Sequence, residues 1–237
     1  MVENILIQEG LVVVIRGVSE ELLKPVGEAL YEGGVRIAEI AFQPKDPYTV
    51  EKTCRMIAEL RQQMDGRMVI GAGTCIEETY VSAAYQAGAQ LIVSPDTNPA
   101  LIRKTKELGM LSMPGAFTAS ECVCAFHSGA DVVKLFPVTM ENLSHLWNLS
   151  RPLSHIPFYC FGGSNEENLK EFFRAGACGI GTGISILKQE LLERKDYRAI
   201  TELARRHVEA IRETRRELRP EEPKSYTTSD IFSGKLP

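Results

Sequence analysis

The sequence has little of what would direct it to a membrane, a nucleic acid or a disulfide scaffold. No apolar run approaches the roughly 18–20 residues of a membrane span. The opening MVENILIQEG lacks a basic stretch leading into an apolar one, so no export signal is expected. The 27 Lys and Arg are outnumbered by 31 Asp and Glu, and the net charge of −4 leaves no basic footprint for a nucleic acid. The six cysteines, Cys54, Cys75, Cys122, Cys124, Cys160 and Cys178, form no CxxC pair, and several lie inside apolar runs. Reduced thiols in a cytoplasmic protein are the expectation. Cys122-Val123-Cys124 has no second cluster to complete a metal site and reads as small core residues. His127, His145, His155 and His207 have no metal-ligand spacing and lie in helical or loop contexts away from the strand ends. With 44% hydrophobic and 24% charged residues among 237, the composition is that of a globular protein with one large α/β domain or two small ones.

The chain has a strong rhythm. A glycine shortly precedes an apolar, often β-branched run at Gly10, Gly34, Gly66, Gly88, Gly109, Gly129 and Gly176. Glycine just past a helix end is the usual left-handed cap, so each predicts a helix-to-strand turn. Ser154-His155-Ile156-Pro157 supplies an eighth. The strands that follow are LVVVIR from Leu11, VRIAEIAF from Val35, MVIGAGT from Met68, LIVSP from Leu91, LSMPG from Leu111, VVKLFP from Val132, FYCFGG from Phe158 and GIGTGI from Gly179. Most are near-continuous apolar runs, as in a parallel sheet covered on both faces. Helical patterns such as SEELLKPVGEALYEGG and SNEENLKEFFRAGA lie between them. Ser19 is a candidate N-cap, as is Ser164 with Glu167 three residues on in capping-box fashion.

Eight βα units in about 190 residues predict a (β/α)8 TIM barrel. An open dinucleotide-binding sheet would want GxGxxG after an early strand, and Gly71-Ala-Gly73-Thr-Cys-Ile76 breaks that pattern at its last position. A helix over Val2–Glu9 should precede the first strand. Residues 1–214 read as a single barrel domain, and residues 215–237, polar and interrupted by proline, as a C-terminal extension.

In such barrels the chemistry sits at the C-terminal ends of the strands. Lys134 is a single charge inside the apolar run of the sixth strand. Either it is exposed and the strand is misplaced, or it is buried for a purpose, because a buried ammonium is costly unless paired or deprotonated. Glu39 is likewise one charge inside the second strand. The two could form a structural ion pair, although a hydrophobic replacement is usually at least as stable. The functional alternative is an imine-forming lysine with a proton-moving carboxylate. Apolar walls should lower the lysine pKa and Glu39 should raise it. Gly162-Gly163 and Gly181-Thr182-Gly183 can expose backbone N–H groups to an anion, where barrels commonly bind phosphate. Arg16, at the end of the first strand, is an anion contact or an exposed strand-end charge. Arg205, Arg206, Arg212, Arg215 and Arg216 read as a solvated face of the last helix.

The stretches EGGVRIAEIAF, VIGAGT, AGAQLIVSP, MPGAFTASE, VVKLFP, FGGSNEENL and AGACGIGTG, in order between Leu11 and Leu187, resemble the 2-keto-3-deoxy-6-phosphogluconate (KDPG) and 4-hydroxy-2-oxoglutarate (KHG) aldolase family. The resemblance implies a class I, Schiff-base aldolase on a (β/α)8 barrel, a homotrimer, without metal or other cofactor. It would release pyruvate and an aldehyde, glyceraldehyde 3-phosphate or glyoxylate, from a keto-acid substrate. It places the imine lysine on Lys134 and the proton shuttle on Glu39. Thr74, Pro95 and Phe136 line the substrate, and Gly162, Gly163, Gly183 and Ile184 hold its distal anion, with Arg16 assisting. Three positions depart from the family pattern. Gln43 replaces an arginine, Phe161 a threonine, and Ile184 a serine, with Ser185 next. The alternatives are an aldolase of the same mechanism acting on another 2-keto-3-deoxy sugar acid, and a non-catalytic barrel that binds a keto acid or phosphate.

Overall fold

A computed structural model of the chain describes residues 5–218. The strands are β1 (Leu11–Ile15), β2 (Ile37–Ala41), β3 (Val69–Gly73), β4 (Leu91–Val93), β5 (Leu111–Met113), β6 (Gly115–Ala116), β7 (Val133–Leu135), β8 (Phe158–Phe161) and β9 (Ala177–Thr182). The helices are α1 (Ile5–Glu9), α2 (Glu20–Glu32), α3 (Thr49–Gln63), α4 (Glu78–Gln86), α5 (Pro99–Glu107), α6 (Ala119–His127), α7 (Leu143–Ser150), α8 (Leu169–Arg174), α9 (Gln189–Glu193) and α10 (Tyr197–Leu218). All pairings are parallel, in the order β5-β4-β3-β2-β1-β9-β8-β7-β6.

Nine strands appear where eight were expected because Pro114 splits the fifth in two. Proline has no N–H to give the ladder, so β5 pairs with β4, and β6, beyond the break, pairs with β7. The halves close the barrel: the Lys134 N–H donates to Pro114 O (2.9 Å), and the Asp131 N–H to Ser112 O (2.9 Å). All seven glycines named as turn markers have positive φ, from 67° to 111°. Only a residue without a Cβ adopts this conformation cheaply, so the glycine rhythm is the repeat of the fold.

The interior of the barrel alternates large and absent side chains. A Cβ on Gly179 would meet the Tyr159 ring, and one on Gly181 the Phe161 ring, each within 2.3 Å. The inner core joins Val12, Ile37, Leu91, Val93, Met113, Val132, Tyr159 and Phe161 to Leu6 of α1. That short helix closes the N-terminal end, and the Tyr159 hydroxyl donates to Leu6 O. The expected Val2–Glu9 helix is present from Ile5; its first residues lie outside the described ones. Residues 219–237 of the extension lie outside them too, and α10 runs across the expected boundary at 214.

Two local expectations are corrected. Ser164 caps no helix: α8 begins at Leu169, and Asn165 and Asn168 satisfy the preceding turn through each other's backbone N–H groups. Arg215 is not on a solvated face. Its guanidinium donates to the carbonyls of Gln8, Ile7 and Cys178, tying α10 to α1 and β9, and lies 5.5 Å from the Phe173 ring centroid. Ser19 does occupy the N-cap of α2 with extended backbone, without a side-chain cap bond.

Replacing Arg215 with alanine is expected to leave those carbonyls short of a donor and cost about 1–2 kcal/mol. In a domain of this size that is a fall of about 2–8 °C in Tm, measurable by thermal denaturation. An unchanged Tm would show that α1 docks through its apolar face alone.

Candidate active site

Glu39 lies in the middle of β2, opposite Val14 on one side and Gly71 on the other, and is 2% exposed. Its space is made by a missing side chain: a Cβ on Gly73 would sit 1.2 Å from Glu39 Oε2. Lys134 occupies the centre of β7 between Gly115 and Tyr159, half-buried. The alternative of a misplaced strand with a surface lysine is thereby removed. Its Nζ lies 4.5 Å from the Phe161 ring centroid and 5.1 Å from that of Phe136.

Glu39 and Lys134 feel each other's charge, yet no hydrogen bond or ion pair joins them, and Glu39 Oε2 is buried without a partner. A structural salt bridge would have contact geometry. The opposing effects on the lysine resolve in favour of burial: desolvation pushes the Lys134 pKa down, against the upward pull of Glu39 and with help from the Arg16 charge. Desolvation likewise pushes Glu39 up, against the pull of Lys134 and Arg16. Burial thus shifts both groups in the direction that favours their uncharged forms.

Arg16, just beyond β1, donates from Nη2 to Thr74 Oγ1 (2.8 Å). Thr74 has φ +59°, a left-handed conformation unusual for a β-branched residue. Such strain persists where neighbours over-determine it; here the Arg16 bond fixes the side chain and the Cys75 N–H bond to Val93 O (3.1 Å) fixes the following backbone. Pro95 packs its backbone where a Cβ on Gly115 would fall, next to the residue paired with Lys134.

Around this centre the strand ends carry the remaining expected residues. Gly162 (φ +137°) lies over the Val138 backbone, and both Gly162 and Gly163 are exposed. Gly183 lies against Val14 O and accepts the N–H groups of Ile186 and Leu187, forming a tight turn that leaves Ile184 89% exposed. Phe136 is 39% exposed at the mouth. Gln43 is also exposed; its backbone N–H donates to Thr49 Oγ1 (2.6 Å), and no hydrogen bond ties its side chain to the pair.

Two features of the site were not anticipated from the sequence. Ser164 Oγ, next to the glycine pair, is buried with no hydrogen-bond partner. His207, set aside as remote, is fully buried and bonded to Ser185 in the β9–α9 segment (3.0 Å). Its signal was present: Ile200, Leu203, Ala204, His207, Val208 and Ile211 form the apolar stripe of α10 at helical spacing.

The pKa directions fix a sign for stability. Glu39 holds its proton more tightly folded than unfolded, so its contribution falls as pH rises from about 4.5 through its raised pKa. Glu39→Gln removes that penalty. Its stability advantage over the natural chain is expected to be largest near pH 8, about 1 kcal/mol or more, and to vanish toward pH 4.5. Urea titrations across that range check this; a pH-independent difference would mean the carboxyl is not held neutral by burial.

Residues 2–203 match the family model for KDPG and KHG aldolase. The probable 2-dehydro-3-deoxy-6-phosphogalactonate aldolase of Rhizobium meliloti is 31% identical over 179 residues, covering 75% of this chain and 82% of that protein. The 2-dehydro-3-deoxy-6-phosphogalactonate aldolase of Escherichia coli is 31% identical over 180 residues, covering 75% and 84%. A solved structure described as native KDPGal superposes with a TM-score of 0.77 at 28% identity, covering 87% of this chain and 96% of that one. The chain belongs to the KDPG and KHG aldolase family.

Proposed function

We propose that the protein is a class I aldolase, a carbon–carbon lyase, that cleaves a 6-phosphorylated 2-keto-3-deoxy sugar acid to pyruvate and glyceraldehyde 3-phosphate. The observation that carries this reading is Lys134 with its pKa lowered by burial, beside an unpartnered Glu39 whose pKa is raised. The phosphorylated substrate is supported by the names of the two relatives at 31% identity and by the exposed glycines at the ends of β8 and β9.

The neutral Lys134 amine attacks the C2 carbonyl carbon, and an N–H proton moves to the new oxygen. Glu39, protonated, gives its proton to that hydroxyl as water leaves, producing an iminium. The Glu39 carboxylate then takes the proton of the C4 hydroxyl. The C3–C4 bond breaks, its electrons pass to the iminium as an enamine, and the aldehyde departs. Glu39 returns the proton to C3, and water hydrolyses the iminium to pyruvate and the free Lys134 amine, the proton released returning to the Glu39 carboxylate. A pKa near the working pH serves both directions of transfer. Phe136 and Phe161 exclude water from the amine, and Pro95 and Thr74 bound the keto acid. Arg16, fixed by its bond to Thr74, would assist in holding the distal anion. Gly162, Gly163, Gly183 and Ile184 would present backbone N–H groups to the phosphate, and Gln43 would reach the rim.

The reading includes a homotrimer, with Phe117, Phe136, Met140 and Trp147 as exposed apolar residues available for subunit contact. It also includes a reducing, cytoplasmic setting, supported by six free cysteines. Among the described residues no helix is long and apolar enough to cross a membrane.

Borohydride reduction in the presence of pyruvate is expected to add the pyruvate-derived mass at Lys134, located by peptide mass spectrometry; an adduct elsewhere, or none, refutes the mechanism. Glu39→Gln is expected to slow exchange of the pyruvate methyl protons by about 10²–10⁴-fold with far less loss of pyruvate binding. Equal loss of both would assign Glu39 a packing role. Light scattering of the purified protein is expected to give three times the 26.3 kDa chain mass.

A further inference from the structure

Behind the two glycine segments runs a buried polar chain that the imine chemistry does not use. Thr182 Oγ1, at the end of β9, lies 2.6 Å from Ser185 Oγ, and Ser185 Oγ lies 3.0 Å from His207 Nε2. His207 Nδ1 lies 2.8 Å from Leu203 O. A carbonyl only accepts, so Nδ1 carries a proton, and in the neutral ring Nε2 is then an acceptor. Ser185 must then donate its one proton to His207, and Thr182 must donate to Ser185. In that form the whole chain has a single proton arrangement.

This chain holds the last of the segments proposed to meet the substrate's distal anion. Ser185 belongs to the turn in which Gly183 O accepts from Ile186 and Leu187, so its hydroxyl anchors the turn from behind while Ile184 points to solvent. On its other flank, His207 Nε2 lies 3.6 Å from Glu166 Oε2, in the segment that follows Gly162-Gly163 and Ser164. Arg206 steadies the same carboxylate at 3.4 Å. The groups whose charge acts on His207 are Glu166 from the β8–α8 segment, Lys188 from the β9–α9 segment and Arg206 from α10 itself. Burial, the largest influence, pushes the imidazole pKa down, against the upward pull of Glu166. Ser164 Oγ, between the glycine pair and Glu166, is buried and lacks a protein partner, a hydroxyl that a bound group can satisfy.

We infer that Ser185 and His207 are positioning residues for the distal anion: they lock the Gly183–Leu187 turn to α10 from behind, through the Thr182–Ser185–His207 hydrogen bonds. This inference rests on the aldolase reading above and adds to it the part of the protein that sets the affinity for a phosphorylated tail. Catalysis at Lys134 should not depend on it.

Ser185→Ala removes the link with little change in volume, and His207→Leu removes its centre. Three measurements are made on each variant and on the natural chain: pyruvate methyl proton exchange, cleavage of a 2-keto-3-deoxy-6-phospho sugar acid, and cleavage of the same acid without phosphate. For Ser185→Ala the expected result is exchange within about twofold of the natural rate and a KM for the phosphorylated acid raised about tenfold or more. Its kcat should change less than about threefold, with unaltered kcat/KM for the unphosphorylated acid. Equal losses on both acids, loss of exchange, or an unchanged KM would overturn the inference. If His207→Leu fails to fold, Ser185→Ala alone decides. If the natural chain forms no imine with pyruvate, or does not prefer the phosphorylated acid, the aldolase reading or its phosphorylated substrate fails instead, and this inference with it.

Discussion

Removing two opposite charges from water without letting them touch is the constraint on which this barrel depends. A carboxylate or an ammonium in a dry interior is stabilised by contact with a partner or by giving up its charge. At Glu39 and Lys134 burial pushes both groups toward the second course, and the surrounding structure supplies that burial. The absent side chain of Gly73 creates the volume that Glu39 fills. The rings of Phe161 and Phe136 flank the lysine within cation–π range, and yet burial dominates its titration. A hydrophobic pair in these positions would be no less stable. On the proposed mechanism the arrangement has a use, since an amine attacks only when unprotonated and an acid must hold a proton to give it.

That constraint also explains why so much of the protein was legible in its sequence. A lone charge in an apolar strand is conspicuous, and Lys134 and Glu39 each stood out without any knowledge of their neighbours. The turn glycines were equally plain, because positive φ is a backbone demand met almost entirely by residue type. What depended on tertiary closure was not legible. Pro114 was visible, but that it would divide a strand so that its halves serve different neighbours follows only from the geometry of closing the barrel. Ser164 had the spacing of a capping box, and the neighbouring asparagines displaced it by bonding each other first. Arg215 looked like one of several solvated arginines, because nothing local marks the carbonyls of Ile7, Gln8 and Cys178 as its partners. His207 lay on the apolar stripe of α10, and only the fold shows that this stripe passes behind the β8 and β9 strand ends.

The three departures from the family pattern acquire a common sense at the strand ends. Gln43 supplies no charge where an arginine is usual, and Arg16, held by Thr74, is the cation that acts on both Glu39 and Lys134. Phe161 replaces a hydroxyl with a ring 4.5 Å from Nζ, which makes the lysine's surroundings more apolar. At the last turn the side chain at 184 is apolar and points outward, while the hydroxyl at 185 points inward to His207. On the proposed function, backbone N–H groups would take the place of side-chain donors on the rim.

A backbone donor cannot be retuned by rotating a side chain, so its effectiveness depends on how firmly the peptide is held. Preorganised donors act strongly because little reorganisation remains when charge arrives. In this barrel Glu39 and Lys134 are held by strand register and by the volume left at Gly73, features of the rigid interior. The last turn is held by hydrogen bonds among Thr182, Ser185 and His207, features of the outer layer. On the proposed function, chemistry and recognition therefore rest on different elements of one fold. A barrel built this way can change the tail of the molecule it accepts through residues of α10 and the last turn, while the buried lysine and its acid stay where they are.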